Sequence, residues 1–331
     1  MGAYDAQTDA QTEGQAAAAR AGLVREIDAE GVWAGEPVWR EAFAAVPRHL
    51  FVPYYYVAGE CGYERRWGES PDRGARERWL RGAYEDVPLA TRLRDGELLS
   101  SSSQPSLMAR MLVELRVSEG DRVLEVGAGT GYNAALLAHR LGDDGLVTTV
   151  DVDPEIAESA RRHLAAAGYR PAVVTGDGAR GVPERAPFDR IIATCALPGV
   201  PRAWVGQCAE GARILAPVST GLLALTVRGG GAEGRFLPSA AFFVPLRGVE
   251  RVAGVGDAGG VPAGALGDES FQFLAELTRG VLSPREAYEV WAREGMPGRE
   301  RYGVSVEEGG EGGEWVWLDD REGPCVWPLP V

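Results

Sequence analysis

The chain has 331 residues, 45% of them hydrophobic, enough for one large α/β domain and an accessory region. Its 48 acidic residues outnumber 34 basic ones, all arginine, and the formal net charge of −14 argues against a partner with a phosphate backbone. No stretch reaches membrane-spanning length, the N-terminus lacks a basic segment before an apolar core, and Cys61, Cys195, Cys208 and Cys325 form no C-x-x-C pair. A cytoplasmic protein is therefore expected, monomeric and without a metal, a membrane or a nucleic-acid partner.

Residues 1–20, rich in Ala, Gln, Gly and Thr, read as a mobile tail because they show no apolar periodicity. Helical spacing begins with Leu23, Val24 and Ile27 and continues through Trp33, Trp39, Phe43 and Val46. Pro47 and Pro53 then hold VPRHLFVP extended. Residues 54–82 interleave Tyr54, Tyr55, Tyr56, Trp67 and Trp79 with arginines and acids. AYEDVPL (Ala83 to Leu89) and a run of serines from Ser100 to Ser103 follow. Pro105 then opens a helix with Leu107, Met108, Met111, Leu112 and Leu115 on one face. By position Ser103 is a candidate N-cap of that helix, and Ser100, Ser101 and Ser102 are loop or capping residues.

The stretch RVLEVGAGTGYNAALL, Arg122 to Leu137, runs from an apolar strand into Gly127, Gly129 and Gly131 and on into a helical pattern. Glycine admits positive φ and close approach of backbone N–H groups, so strand, glycine turn and helix N-terminus form a nucleotide cradle. The spacing is not the dinucleotide G-x-G-x-x-G. A second strand, Leu146 to Val150, ends at Asp151, where a carboxylate can accept ribose hydroxyls. The pattern, with Glu125 before it, resembles motif I of the class I S-adenosylmethionine (SAM) methyltransferases.

Further strands are expected at Ala172 to Thr175 and Phe188 to Ala196, with a helix at Pro154 to Ala167. Gly176-Asp177-Gly178 follows the first of these strands, and Asp177 reads equally as a turn aspartate. After the second, Thr194-Cys195-Ala196-Leu197-Pro198 lacks the (N/D)-P-P-(Y/F) element of amino-directed methylases, and Cys195 reads as a packed residue. Closing strands are expected at Ala212 to Val218 and Gly221 to Val227, then a glycine link at Gly229 to Gly234 and a Gly/Ala-rich break at Gly254 to Gly267. Two helices, Phe271 to Leu277 and Pro284 to Arg293, lead to a hairpin at Tyr302–Val306 and Glu314–Leu318 and to Trp327-Pro328-Leu329-Pro330. The aromatics of this region suit a small core or a peptide-docking surface. His139 and His163 read as surface or helix-end residues, and His49 as either a structural or a motif histidine.

VPRHLFVP, AYEDVPL, SSSSQPSLMARML, motif I, GDGARG and APFDRIIATCALPGVPRAW occur in an order that resembles the protein-L-isoaspartate O-methyltransferases. Their N-terminal half carries R-H-x-F-V-P, A-Y-x-D-x-P-L and T-I-S-Q-P elements. The resemblance covers roughly Val46 to Pro217. It implies a class I SAM-dependent, Rossmann-like α/β fold with an N-terminal helical, substrate-binding segment (21–120), a core (121–228) and an α+β C-terminal region (229–331). It implies a donor site of Ser101, Glu125, Gly127, Ala128, Gly129, Thr130, Gly131, Asn133, Asp151, Val152, Gly176, Asp177, Gly178 and Thr194, holding SAM and releasing S-adenosylhomocysteine. Asp177 would then meet the adenine amino group. Ser103, with Ser102, would orient an acceptor carboxylate, and Asp86 would either hold the acceptor peptide's backbone or fix the loop.

Three departures stand out. Residues 54–82 are an insertion, the T-I-S triplet has become Ser101-Ser102-Ser103, and about a hundred residues follow the core where repair enzymes are expected to end. These features resemble a subgroup acting on ribosomally made, modified peptides (graspetides, lasso peptides, lanthipeptides). The expected function is thus esterification of an aspartyl side chain in a macrocyclised precursor peptide, a graspetide, followed by aspartimide formation. The alternatives are isoaspartate repair and a non-catalytic SAM- or peptide-binding module.

Overall fold

A computed structural model describes residues 2–33, 36–59, 62–142, 145–246, 259–307 and 313–329. Cys61, residues 254–258 of the Gly/Ala-rich break and Pro330 lie outside the described residues. In chain order come α1 (Gly2–Ala29), α2 (Pro37–Ala45), β1 (Tyr54–Gly59), β2 (Gly62–Trp67), α3 (Arg73–Ala83), β3 (Leu89–Arg94), β4 (Glu97–Ser102) and α4 (Pro105–Leu115). Next are β5 (Val123–Val126), α5 (Tyr132–Leu141), β6 (Val147–Asp151), α6 (Pro154–Ala166), β7 (Ala172–Thr175), β8 (Phe188–Ala193) and α7 (Arg202–Val205). Then follow β9 (Cys208–Val218), β10 (Gly221–Arg228), β11 (Gly231–Ala240), α8 (Ala263–Leu266), α9 (Glu269–Leu277), α10 (Pro284–Arg293), β12 (Tyr302–Val306), β13 (Glu314–Leu318) and β14 (Val326–Pro328).

These elements form two compact units. One comprises Met1–Asp121 with Ala128–Gly176, and the other Arg122–Gly127 with Asp177–Val331. In the first, β2, β1, β3 and β4 make a four-stranded sheet in that order, antiparallel throughout, and β6 pairs with β7 in parallel. Helix starts follow local chemistry. Asp72 caps α3 by accepting from Gly74 N and Ala75 N at 3.1 and 2.9 Å, and Asp153 caps α6 just before Pro154. Aromatic edges fill the core, with Tyr132 between Phe43 and Phe51 at centroid distances of 6.1 and 5.6 Å.

The N-terminal segment is helical, not the mobile tail that its composition suggests. Alanine and glutamine carry high helix propensity, and a helix already anchored by buried Leu23, Val24 and Ile27 propagates backward without a new nucleation cost. Ala16 is fully buried, and the Glu13 carboxylate lies 3.6 Å from His49 Nε2.

In the second unit the strand order is β14-β13-β12-β11-β10-β9-β8-β5. The β5/β8 and β8/β9 pairs are parallel and the others antiparallel. Every residue of β5 is buried, as a parallel strand covered on both faces requires. The C-terminal aromatics form a core: Phe236 meets Phe273 edge-on at 4.9 Å, and Phe271 meets Trp291 at 5.8 Å. The predicted glycine link is shorter than its composition implies. Only Gly229 and Gly230 turn, with φ of 55° and 78°, while Gly231–Gly234 already pair within β11. Positive φ at both central positions suits the hairpin turn, and the next glycines are free to enter the strand.

Gly234 has a separate reason to be glycine, because a Cβ there would collide with the backbone carbonyl of Ala224. Gly234→Ala is expected to destabilise the protein by about 2 kcal/mol in denaturant unfolding, whereas Gly229→Asn, in the turn, should cost under about 1 kcal/mol.

Candidate functional site

The first unit brings the glycine loop, the end of β6 and the end of β4 together. Gly129 and Gly131 have φ of 52° and 87°, and Gly131, the N-cap residue of α5, has no side chain to cap it, while Thr130 Oγ1 accepts from Tyr132 N at 3.4 Å. Asp151, 8% exposed, accepts from Gly129 N through Oδ2 at 3.2 Å and from Asp153 N through Oδ1 at 3.1 Å. Beyond it Val152 is exposed, and Gly176 N donates to the Asp151 carbonyl at 2.9 Å. Thr130 and Asn133 are buried, and the Thr130 carbonyl accepts from His163 Nδ1 at 3.0 Å. His163 is thus a helix-end residue, in the last turn of α6, and a half-buried brace of the glycine loop.

β4 abuts this loop. A Cβ on Gly129 would lie 3.6 Å from the Ser101 carbonyl and 3.8 Å from Ser100 Oγ. Ser101 and Ser103 are half-buried and Ser102 is buried. Ser103 is not the N-cap of α4; Gln104 is, and its side chain makes no cap hydrogen bond. Asp86 supplies the cap from a distant loop instead, accepting from Ser106 N at 2.7 Å and from Gln104 Nε2 at 3.0 Å. Of the two sequence-level readings of Asp86, the geometry matches loop fixation.

Arg48 was not singled out by sequence. Fully buried, it donates to the carbonyls of Ala83, Glu85, Val87 and Ser103 at 2.9, 3.2, 3.3 and 3.2 Å, and to Ser102 Oγ at 3.4 Å. Burial pushes its guanidinium down to about 10, against the pull of Tyr132 and Asp86. The available signal was one arginine inside an otherwise apolar, proline-bracketed motif. The neighbouring His49 is structural, with Nδ1 2.8 Å from Tyr84 OH.

The other predicted donor-site residues lie in the second unit. Glu125 is buried in β5. Gly127 has a φ of 100°, Thr194 Oγ1 donates to its carbonyl at 2.7 Å, and a Cβ at Gly127 would lie 2.7 Å from that hydroxyl. Asp177 is exposed and accepts from Ala179 N at 3.0 Å, while the Gly178 carbonyl accepts from Trp204 Nε1 at 2.8 Å. Cys195 is buried. Glu314 of β13 was also missed: its buried carboxylate accepts from Val200 N at 2.9 Å, tying the C-terminal strands to the loop after β8. Only tertiary structure reveals such a contact. Among the described residues no cluster of three or more His, Cys, Asp or Glu is arranged to hold a metal, and no helix is long and apolar enough to cross a membrane.

The fold is that of the class I SAM-dependent methyltransferases. A solved protein-L-isoaspartate O-methyltransferase superposes with a TM-score of 0.63 at 22% identity, over 91% of this chain and 100% of its own. A Plasmodium falciparum beta-aspartate methyltransferase, solved with S-adenosyl-L-homocysteine, has a TM-score of 0.52 at 16% identity, over 68% of this chain and 97% of its own. The profile described as "Protein-L-isoaspartate(D-aspartate) O-methyltransferase (PCMT)" matches residues 72–247, more than half of the chain. Protein-L-isoaspartate O-methyltransferases of Aeropyrum pernix and Hyperthermus butylicus are 39% and 36% identical, over 61% and 70% of this chain and 67% and 89% of theirs. The chain belongs to the protein-L-isoaspartate(D-aspartate) O-methyltransferase family, whose members are SAM-dependent carboxyl O-methyltransferases. One expectation falls with this: a fold match across 91% of the chain shows that a long C-terminal region is not foreign to these enzymes.

Arg48→Met should leave the buried carbonyls without donors and cost about 3 kcal/mol in unfolding, with Arg48→Lys recovering only part of it. A pH effect follows from His49 and His163, both held below the usual 6.5 chiefly by burial. The unfolded chain protonates first, so their contribution is complete above about 6.5 and is lost as pH falls below it. The unfolding midpoint should therefore drop below that pH, and less steeply in His163→Asn.

Proposed function

We propose that the chain transfers a methyl group from SAM to the free α-carboxylate of an isoaspartyl residue in a peptide. The observation that carries this reading is the meeting, within one unit, of the glycine loop, the buried Asp151 carboxylate and the serine-bearing end of β4. The residues fit the donor. A buried carboxylate at a strand end suits a pair of ribose hydroxyls, exposed Val152 suits the face of a purine, and positive-φ glycines without side chains leave room for a polar tail to approach the loop backbone. Ala128, Thr130, Asn133 and Gly176 of the same unit complete this part of the donor site.

The bound donor supplies an electrophilic methyl group on a sulfonium sulfur. A carboxylate is ionised at neutral pH, so the displacement needs no general base, and the protein's work is alignment and exclusion of water. That agrees with a site built from serines, glycines and a capped loop. Ser103, with nearby backbone N–H groups, orients the acceptor carboxylate without deprotonating it, and Ser102 is held by Arg48 beneath.

A narrower reading is favoured by the 54–82 insertion, which folds as β1, β2 and α3 and adds its two strands to the sheet that ends in the serine strand. Here the substrate is a macrocyclised, ribosomally made peptide, with a graspetide as the specific candidate. Its esterified aspartate is attacked by the following backbone nitrogen, which closes a succinimide and releases methanol.

Intact-mass analysis with SAM and two substrates tests both readings. The substrates are a generic isoaspartyl peptide and a cyclised precursor from a neighbouring gene beside its linear form. Gain of one methyl group on the isoaspartyl peptide is the expected result. Methyl gain followed by net loss of water on the cyclised peptide alone would select the narrower reading, and SAM binding without any product would overturn both. Asp151→Ala should raise the SAM KM at least about ten-fold, whereas Ser103→Ala should lower kcat/KM for peptide by a similar factor and leave SAM affinity unchanged.

A further inference from the structure

Strand alternation gives the four-stranded sheet two unlike faces. Tyr55, Leu89, Thr91 and Ser102 point inward and are buried. The opposite parity carries Tyr54, Tyr56, Ala90 and Ser101, with Tyr63, Arg65 and Trp67 from the edge strand β2. Cross-strand register sets out one row: Arg65 is opposite Tyr56, Tyr56 opposite Ala90, and Ala90 opposite Ser101. The row therefore runs from the outer edge of the insertion to the strand end that abuts Gly129. Tyr63 is 54% exposed and Trp67 36%.

Arg65 is the charged member of this row. Its guanidinium lies 4.4 Å from the Tyr54 ring centroid and 5.7 Å from that of Trp67, and no described carboxylate forms an ion pair with it. Arg92, Arg73 and Arg78 in the same unit all have acidic partners. An arginine stacked on rings is held in place with N–H donors to spare, an arrangement suited to a carboxylate, and it stands on a chain whose net charge is −14. Three interstrand spacings separate Arg65 from Ser101, about 14 Å, which an extended peptide covers in about four residues.

We propose that the outer face of this sheet is where the acceptor peptide docks, and that Arg65 selects peptides with an acidic side chain about four residues from the methylated carboxylate. The proposal rests on the peptide-carboxylate reading above and specifies its substrate class. Its occupant is an extended acidic peptide, lying across the strands with its acceptor at Ser101 and Ser103 and its acidic residue at Arg65.

The test compares isoaspartyl peptides carrying Glu, Gln or Lys four residues to either side of the acceptor. Affinity is measured by fluorescence anisotropy and turnover by steady-state kinetics, on the full chain and on Arg65→Gln and Arg65→Glu. For the wild type, Kd and KM for the Glu peptide should be about five-fold below those of the Gln peptide, with kcat alike. Arg65→Gln should abolish that difference, and Arg65→Glu should turn it in favour of Lys. Equal affinities, absence of peptide binding, or a preference that survives Arg65→Glu would overturn the proposal. A preference in Kd without methyl transfer would uphold docking while sinking the reaction assigned above. A dimer seen by sedimentation and lost in Arg65→Glu would give the face to a second copy and overturn the proposal.

Discussion

A single buried guanidinium organises the loops around the end of β4. Among the described residues Arg48 has no carboxylate in hydrogen-bonding contact. Its charge is met by backbone carbonyls from the loop after α3 and by the junction of β4 with α4, between 35 and 55 residues away in sequence. Burying a cation this way is costly unless its donors are used, so the carbonyls must be held where the fork reaches them. One consequence is that AYEDVPL and the serine run behave as a single piece. With the loop fixed, Asp86 reaches the bare N-terminus of α4 and does the work that the serines nearest it in sequence do not.

The glycine loop depends on a different constraint, the backbone itself. Positive φ at Gly129 and Gly131 lets the chain leave one strand and start α5 within a few residues. Asp151 ties that turn to β6, and the His163 ring of α6, its pKa lowered by burial, braces the turn by donating to the Thr130 carbonyl. Little here is a catalytic group in the acid–base sense. A reaction between an ionised carboxylate and a reactive methyl group asks for placement, and placement is what these contacts provide.

The additions to the core are structured. The insertion supplies β1 and β2 of a sheet whose other edge strand, β4, abuts Gly129 through Ser101. The C-terminal strands continue from β10 through a tight glycine turn, and Glu314 fastens them to the loop after β8. A solved relative that superposes along most of the chain makes this C-terminal region an ordinary part of the fold.

What the sequence determined by itself was local. The glycine spacing, the strand ending at Asp151, the helix at Pro284–Arg293 and the hairpin at Tyr302–Val306 and Glu314–Leu318 follow from periodicity, φ preference and capping within a few residues. Family motifs, read together, named the chemistry. Tertiary structure alone decided the helicity of the N-terminal segment, the entry of Gly231–Gly234 into a strand, the true cap of α4, and the roles of Arg48 and Glu314. Each of these depends on a partner far away in sequence: a helix docked behind, a strand alongside, a loop brought near. Composition and spacing carry no trace of such a partner, because the energy of those contacts exists only once the chain has folded.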